Sequence, residues 1–291
     1  LLPLSTPYLM PRSPCSTGRR TAGFPLFGAA NMTTARDQTL PADIATDQRN
    51  QLNALFGSYK AEWLGERLFD LFTEPAYFPE LTHPQPCMLM GGRGTGKTTI
   101  LKRLSYEGRY ALDGQSADAI KNWDFFGCYY RVNTNRVAAF AGPEASQGDW
   151  VKLFAHYLNL EMCELALRFL SWDALHVPDE PMLSSDACQE VALSLNLDPV
   201  DSVRDLLARV RHGRLGFEAL VNNIGDDRVH ARLSMQGAPV DVLFSHICAL
   251  AQFKGKHFFF LIDEYENFSD YQQEVVNTLI KHASSLYTFK V

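Results

Sequence analysis

Apolar residues along the chain fall into helical and strand-like patterns in a definite order. From about Asp47, Leu52, Leu55, Phe56 and Tyr59, then Trp63, Leu64, Leu68, Leu71 and Phe72, recur at three- and four-residue spacing, which predicts one or two amphipathic helices. Pro75, Pro79, Pro84 and Pro86 predict an irregular, extended approach to a short apolar run, Cys87-Met88-Leu89-Met90, read as the first strand. Thr99, Ile100, Leu101 and Leu104 return to helical spacing until Gly108 stops the pattern. Aromatic, β-prone residues from Phe125 to Val132 predict a second strand. It runs into the polar turn Asn133-Thr134-Asn135-Arg136.

Residues 149–255 read as almost entirely helical. Trp150, Leu153, Phe154, Tyr157 and Leu158 open a long amphipathic helix reaching about Trp172, and Pro178 and Pro181 break it. Further helical runs are predicted over Asp186–Leu195, Val200–Arg211, Gly216–Ile224 and Val240–Phe253. This is more helix than one crossover requires, so the region reads as a helical insertion. A continuous apolar run, Phe258-Phe259-Phe260-Leu261-Ile262, then has the pattern of a strand buried on both faces. Ser269-Asp270-Tyr271-Gln272 matches a capping box opening a helix through about Ser285. After it, Tyr287, Phe289 and Val291 alternate with Thr288 and Lys290, as in another strand. The order predicts an α/β fold, a parallel sheet with helices on both faces.

Composition narrows the class. At 291 residues, 46% hydrophobic and 21% charged, the chain is that of a globular protein. A net charge of −6 argues against non-specific nucleic-acid binding by the whole chain, though a local patch is compatible with it. One such patch is Arg204, Arg209, Arg211 and Arg214, but Asp201, Asp205 and Glu218 interleave with them. A solvated, salt-bridged helix face is the preferred reading. Cysteines 15, 87, 128, 163, 188 and 248 are scattered with no C-x-x-C pair, which implies a reducing cytoplasmic setting and no metal framework. No apolar run approaches the about 20 residues of a membrane span.

The first 45 residues are expected to form a disordered tail ahead of a single domain over 46–291. Residues 1–31 hold Arg12, Arg19 and Arg20 and no acid, the balance of a transit peptide, but show no amphipathic helix. For want of that helix, a translated upstream stretch with the start at Met32 is the preferred account.

Candidate chemistry lies first at Gly91-Gly92-Arg93-Gly94-Thr95-Gly96-Lys97-Thr98, which fits G-x-x-x-x-G-K-[ST] between a predicted strand and a predicted helix. Glycines let backbone N–H groups turn inward toward an anion, and the following helix points its positive end at it. In such a loop Lys97 reaches the β- and γ-phosphates of a nucleotide and the Thr98 hydroxyl ligates Mg²⁺, with Thr99 beside it. Tyr77 and Phe78, in the preceding approach, could stack on a base, but core packing is the preferred reading for apolar aromatics.

The second site is the acid pair Asp263-Glu264 at the end of the apolar run. In a protein with this loop, the first acid holds Mg²⁺ and the next can polarise the attacking water. The 166 residues from Lys97 to Asp263 leave room for an intervening strand and the helical insertion, taken as about 149–255. The polar turn at 133–136 would also sit at the carboxyl end of a strand, where ligands bind in open sheets, or be an ordinary turn.

With Gly-Gly-Arg-Gly-Thr-Gly-Lys-Thr-Thr at 91–99 and Leu-Ile-Asp-Glu-Tyr-Glu-Asn at 261–267, the chain resembles the AAA-type P-loop ATPases related to origin-recognition and signal-transducing NTPases. Its nearest likeness is to the prokaryotic origin-recognition-like group, over about residues 50–291. The resemblance implies that Lys97 and Thr98 bind phosphate and Mg²⁺, that Asp263 coordinates Mg²⁺, and that Glu264 is the catalytic base of ATP hydrolysis. A switch or motor acting on a protein partner follows, with a low-turnover regulatory scaffold or a DNA-loading factor as alternatives, and a homo-oligomer as an associated expectation. The resemblance also puts a sensor residue, a lid and a winged-helix module past Val291. A chain cut there is expected to leave its last strand as an exposed sheet edge, to be poorly soluble, and to bind ATP without efficient turnover.

Overall fold

The computed structural model describes residues 73–92, 94–113, 115–224, 232–283 and 285–291. The expected tail, the helices predicted over 52–72 and Arg93 lie outside the described residues. The chain divides between Leu55 and Phe56, and every described residue belongs to the second unit.

Three parallel strands are built from the predicted apolar runs: β1 (Phe125–Arg131), β2 (His257–Asp263) and β3 (Thr288–Lys290). β2 lies between the other two, with Tyr129 opposite Leu261, Arg131 opposite Asp263 and Phe289 opposite Phe260. The predicted first strand is reduced to one bridge, Cys87 to Lys290, flanked by bonds from Cys87 N to Phe289 O (3.2 Å) and from Val291 N to Cys87 O (2.9 Å). Segment 87–89 therefore runs along the side of β3 away from β2. This corrects the expectation for the last strand, which is no exposed edge. Pairing on both sides buries Thr288, Phe289 and Lys290. Even the Lys290 ammonium is satisfied inside, donating to the carbonyls of His83 and Gln85 at 2.6 Å each and lying over the Phe259 ring. β3 thus stands between segment 87–89 and β2, and β1, the strand that intervenes in sequence, lies on the outer side of β2.

β2 feeds two cores, as a strand covered on both faces must. Phe258, Phe260 and Ile262 join the larger cluster, while Phe259 and Leu261 join a smaller one with Phe78, Ile100, Leu101 and Leu104. Phe78, on the short helix α1 (Phe78–Leu81), is buried, and its neighbour Tyr77 is 44% exposed.

Several predicted helix limits move for local reasons. Helix α2 (Lys97–Leu104) ends at Ser105, not Gly108, because Ser105 turns extended and its hydroxyl accepts from Gly108 N to start α3 (Tyr106–Leu112). A short α4 (Ala117–Lys121) precedes β1, and Asn133 caps α5 (Thr134–Ala138) by accepting from Asn135 N and Arg136 N. Ser146 caps α6 (Gln147–His176). That helix was expected to be amphipathic, yet residues 153 to 167 are buried without interruption, as in a helix surrounded by protein. The predicted α7 appears at Ser185–Ser194. The two runs expected across 200–224 form one helix, α8 (Val203–Asn222). Gly213 does not break it, and Leu197 occupies the space its side chain would fill. Helix α9 (Ala238–Ala249) is followed by one tight turn, Ala251–Phe253. The capping box is present at α10 (Asp270–His282), where Ser269 N donates to Gln272 Oε1 at 3.0 Å. Gln272 also donates to Val137 O, fastening α10 to α5.

Arg209, Arg211 and Arg214 are ion-paired, mainly to residues outside their own helix, and the face is not wholly solvated as expected, because Arg214 and Glu164 are buried. Arg214, buried on α8, binds Glu164 of α6 at 2.7 Å and Glu218 at 2.6 Å, while Arg211 reaches Glu164 at 3.3 Å. Burial alone would raise the Glu164 carboxyl, but the bonds and charge of Arg214 and Arg211 hold it below its ordinary range. Asp201 and Asp205 instead bind Ser185, Gln189 and Ser202. Among the described residues, no helix is long and apolar enough to cross a membrane.

Candidate functional site

The glycine-rich loop makes its turn through two residues in the left-handed region, Gly94 (φ 84°) and Gly96 (φ 86°). An L side chain is strained at either position. A Cβ added at Gly92, Gly94 or Gly96 would meet nothing within 4 Å, so this backbone borders open space. Gly91 differs, because a Cβ there would lie 2.7 Å from Thr95 Oγ1. Thr95 in turn donates to Gly92 O at 2.9 Å and closes the loop on itself. Lys97 is the first residue of α2, and its ammonium donates to Gly91 O at 2.6 Å and Gly92 O at 3.2 Å. Thr98 and Thr99 follow on the first turn of α2, both half-buried.

The acid pair stands at the carboxyl end of β2. Asp263 is 4% exposed, and each of its oxygens has a donor: Tyr129 OH on Oδ2 at 2.7 Å and Glu264 N on Oδ1 at 3.0 Å. Glu264 leaves the strand in the left-handed region, φ 58°. For a side chain with a Cβ this costs about 1–2 kcal/mol. The backbone reversal turns its carboxylate toward Arg131, whose guanidinium binds Oε1 at 2.8 Å, while Asn267 Nδ2 donates to Oε2 at 3.0 Å.

Loop and acids meet at one cleft of about 360 Å³, lined by Gly91, Lys97, Asp263 and Glu264 with Met88 and Val291 among the apolar walls. Thr98 does not line this cleft. Glu264 also borders a second, polar hollow formed with Arg131 and the turn Asn133-Thr134-Asn135. Of the run expected as a turn at 133–136, Asn133 is the cap and Thr134, Asn135 and Arg136 already belong to α5, whose start meets Glu264 across this hollow.

Tyr129 and Arg131 were not among the residues picked out from sequence. Their signal was present but unreadable alone: both alternate on the face of β1 that Asp263 shares on β2, and only the register of the two strands brings them to the acids.

A glycine-rich turn opening a helix, with paired acids ending a parallel strand, defines a mixed α/β, P-loop NTPase-like fold. The model of the ORC-CDC6-like family matches residues 54–291, and the chain belongs to that family. Neither curated proteins nor solved structures gave a match.

Proposed function

We propose that this chain binds Mg-ATP in the Gly91–Thr99 and Asp263–Glu264 cleft and hydrolyses it as an AAA-type ATPase, acting as a switch or motor on a partner. The observation that carries the reading is the convergence of Lys97, Asp263 and Glu264 on one cleft beside an open glycine turn. The residues present suit the ligand. The open backbone at Gly92, Gly94 and Gly96 and the start of α2 favour phosphate oxygens, with Thr95 in the same turn; Arg93, also expected to contribute, lies outside the described residues. The Thr98 hydroxyl and Asp263 carboxylate are hard oxygen donors of the kind Mg²⁺ takes.

When bound, Mg²⁺ supplies charge neutralisation across the phosphates. Lys97 exchanges the carbonyls of Gly91 and Gly92 for phosphate oxygens. Asp263, in the cleft, and Thr98, on the first turn of α2 just outside its lining, would hold the metal. Glu264 accepts the proton of the attacking water once its carboxylate is released. P-loop chemistry of this kind is mainly positioning and electrostatics.

A second reading, a nucleotide-dependent regulatory scaffold with little turnover, is favoured by one observation. Both oxygens of Glu264 are engaged, by Arg131 and Asn267. The family also suggests oligomerisation and DNA association, and a cytoplasmic setting fits the unpaired cysteines among the described residues.

Calorimetry of Mg-ATP binding tests the assignment. Lys97→Ala should weaken affinity about tenfold or more, as expected for losing hydrogen bonds from a charged donor. Equal affinity in the variant would remove Lys97 from the site. Turnover measured beside binding separates the ATPase from the scaffold, and a salt-dependent DNA titration tests the third role.

A further inference from the structure

We propose that Tyr129 is a positioning residue for Asp263, fixing the carboxylate that holds the divalent cation. The inference rests on the nucleotide reading of the cleft. Tyr129 belongs to neither sequence motif. It stands on β1 opposite Leu261, two residues short of Asp263 in register, and its phenol spans that diagonal to donate to Asp263 Oδ2 at 2.7 Å. The other oxygen accepts from Glu264 N at 3.0 Å. One donor on each oxygen restrains rotation of the carboxylate plane, and each oxygen keeps lone-pair capacity for a cation or its water.

Burial makes the phenol hard to replace. Asp263 is 4% exposed, so water has little access to take over the bond if the hydroxyl is removed. The ring is itself fixed, packed against the smaller core with the Lys102 ammonium 5.9 Å from its centre. Hydrogen-bond partners that orient a metal-binding carboxylate matter to metal affinity at about the 10- to 100-fold level. Tyr129 is placed to act at that level, without touching nucleotide or metal.

The test uses the full chain and Tyr129→Phe, which keeps the ring and removes only the hydroxyl. Affinity for a non-hydrolysable ATP analogue is measured by calorimetry across a Mg²⁺ series and in EDTA, with Asp263→Asn in parallel and the unfolding temperature of each variant recorded. The expected result is about a tenfold rise in half-saturating Mg²⁺ for Tyr129→Phe, with the metal-free affinity unchanged. A Mg²⁺ dependence equal to the parent's, while Asp263→Asn loses it, overturns the role of Tyr129 alone. Equal losses with and without metal also overturn it, since they mark general damage. If the parent chain gains nothing from Mg²⁺, the reading of the cleft falls with the proposal.

Discussion

Gly127 of β1 lies directly against the Leu104 carbonyl at the end of α2: a Cβ at 127 would overlap that oxygen and come within 2.7 Å of Leu261 Cδ1. The contact seats on the sheet the helix whose first residue is Lys97. Gly127→Ala must push backbone as well as side chain aside, and should destabilise the fold by about 2 kcal/mol. A lower urea midpoint at unchanged slope is the expected observation. An unshifted midpoint would show that α2 has room to move away.

Glu264→Gln should retain nucleotide and lose turnover by about 10²–10⁴-fold, because the amide cannot take a proton from water. Asp263→Ala should instead lose the metal-dependent part of binding. Phosphate release and calorimetry on the same preparations distinguish the two, and parental turnover in the Gln variant would rule out Glu264 as base.

Arg214→Met removes the guanidinium shared by Glu161, Glu164 and Glu218, leaving Glu161 its ion pair with Arg136 at 3.5 Å and Glu164 its ion pair with Arg211 at 3.3 Å. Because those pairs remain, the loss should fall short of about 3–5 kcal/mol, the cost of a buried pair broken outright. Adding Glu164→Gln should return part of it, because it removes one of the under-compensated charges. Chemical denaturation of both variants at neutral pH checks this, and a single variant within 0.5 kcal/mol of the parent, roughly the range of neutral surface changes, contradicts it.

His156 carries a pH dependence of stability. Burial depresses its imidazole to about 4. Its Nδ1 accepts from Ser234 N at 3.1 Å, so a proton there would oppose an existing donor. The unfolded chain protonates first as pH falls, so stability is full above about 6.5 and declines toward pH 4, by about 3 kcal/mol in all. Asp173 opposes it: burial raises that carboxyl to about 6, which makes stability fall as pH rises across an overlapping window. His156→Gln should therefore reduce the loss of stability between about pH 6.5 and pH 4.5 relative to the parent. Parallel pH profiles for parent and variant would contradict the assignment.

Much of the site was legible because its signals are local. The turn at Gly94 and Gly96, the lysine opening α2 and the acids ending β2 depend on consecutive residues, and φ preference and apolar runs are written in consecutive residues. The capping box at Ser269 and Gln272 was legible for the same reason. Helix limits failed where one side chain made a local choice, as Ser105 did by capping α3 ahead of Gly108.

By itself, then, the sequence determined the order of most strands and helices and which residues form the glycine turn and the acid pair, though not that the run at 87–90 is only a bridge or that the two runs across 200–224 are one helix. The tertiary structure alone decided who neighbours whom. Strand β3 is interior because segment 87–89 pairs along its other side, and nothing in Thr288-Phe289-Lys290 specifies that partner. Tyr129 reaches Asp263, Arg131 reaches Glu264 and Arg214 reaches Glu164 across separations of 134, 133 and 50 residues. Such contacts follow from parallel register and helix packing, which satisfy burial and hydrogen bonding for the whole assembly at once, so no window of the chain contains them.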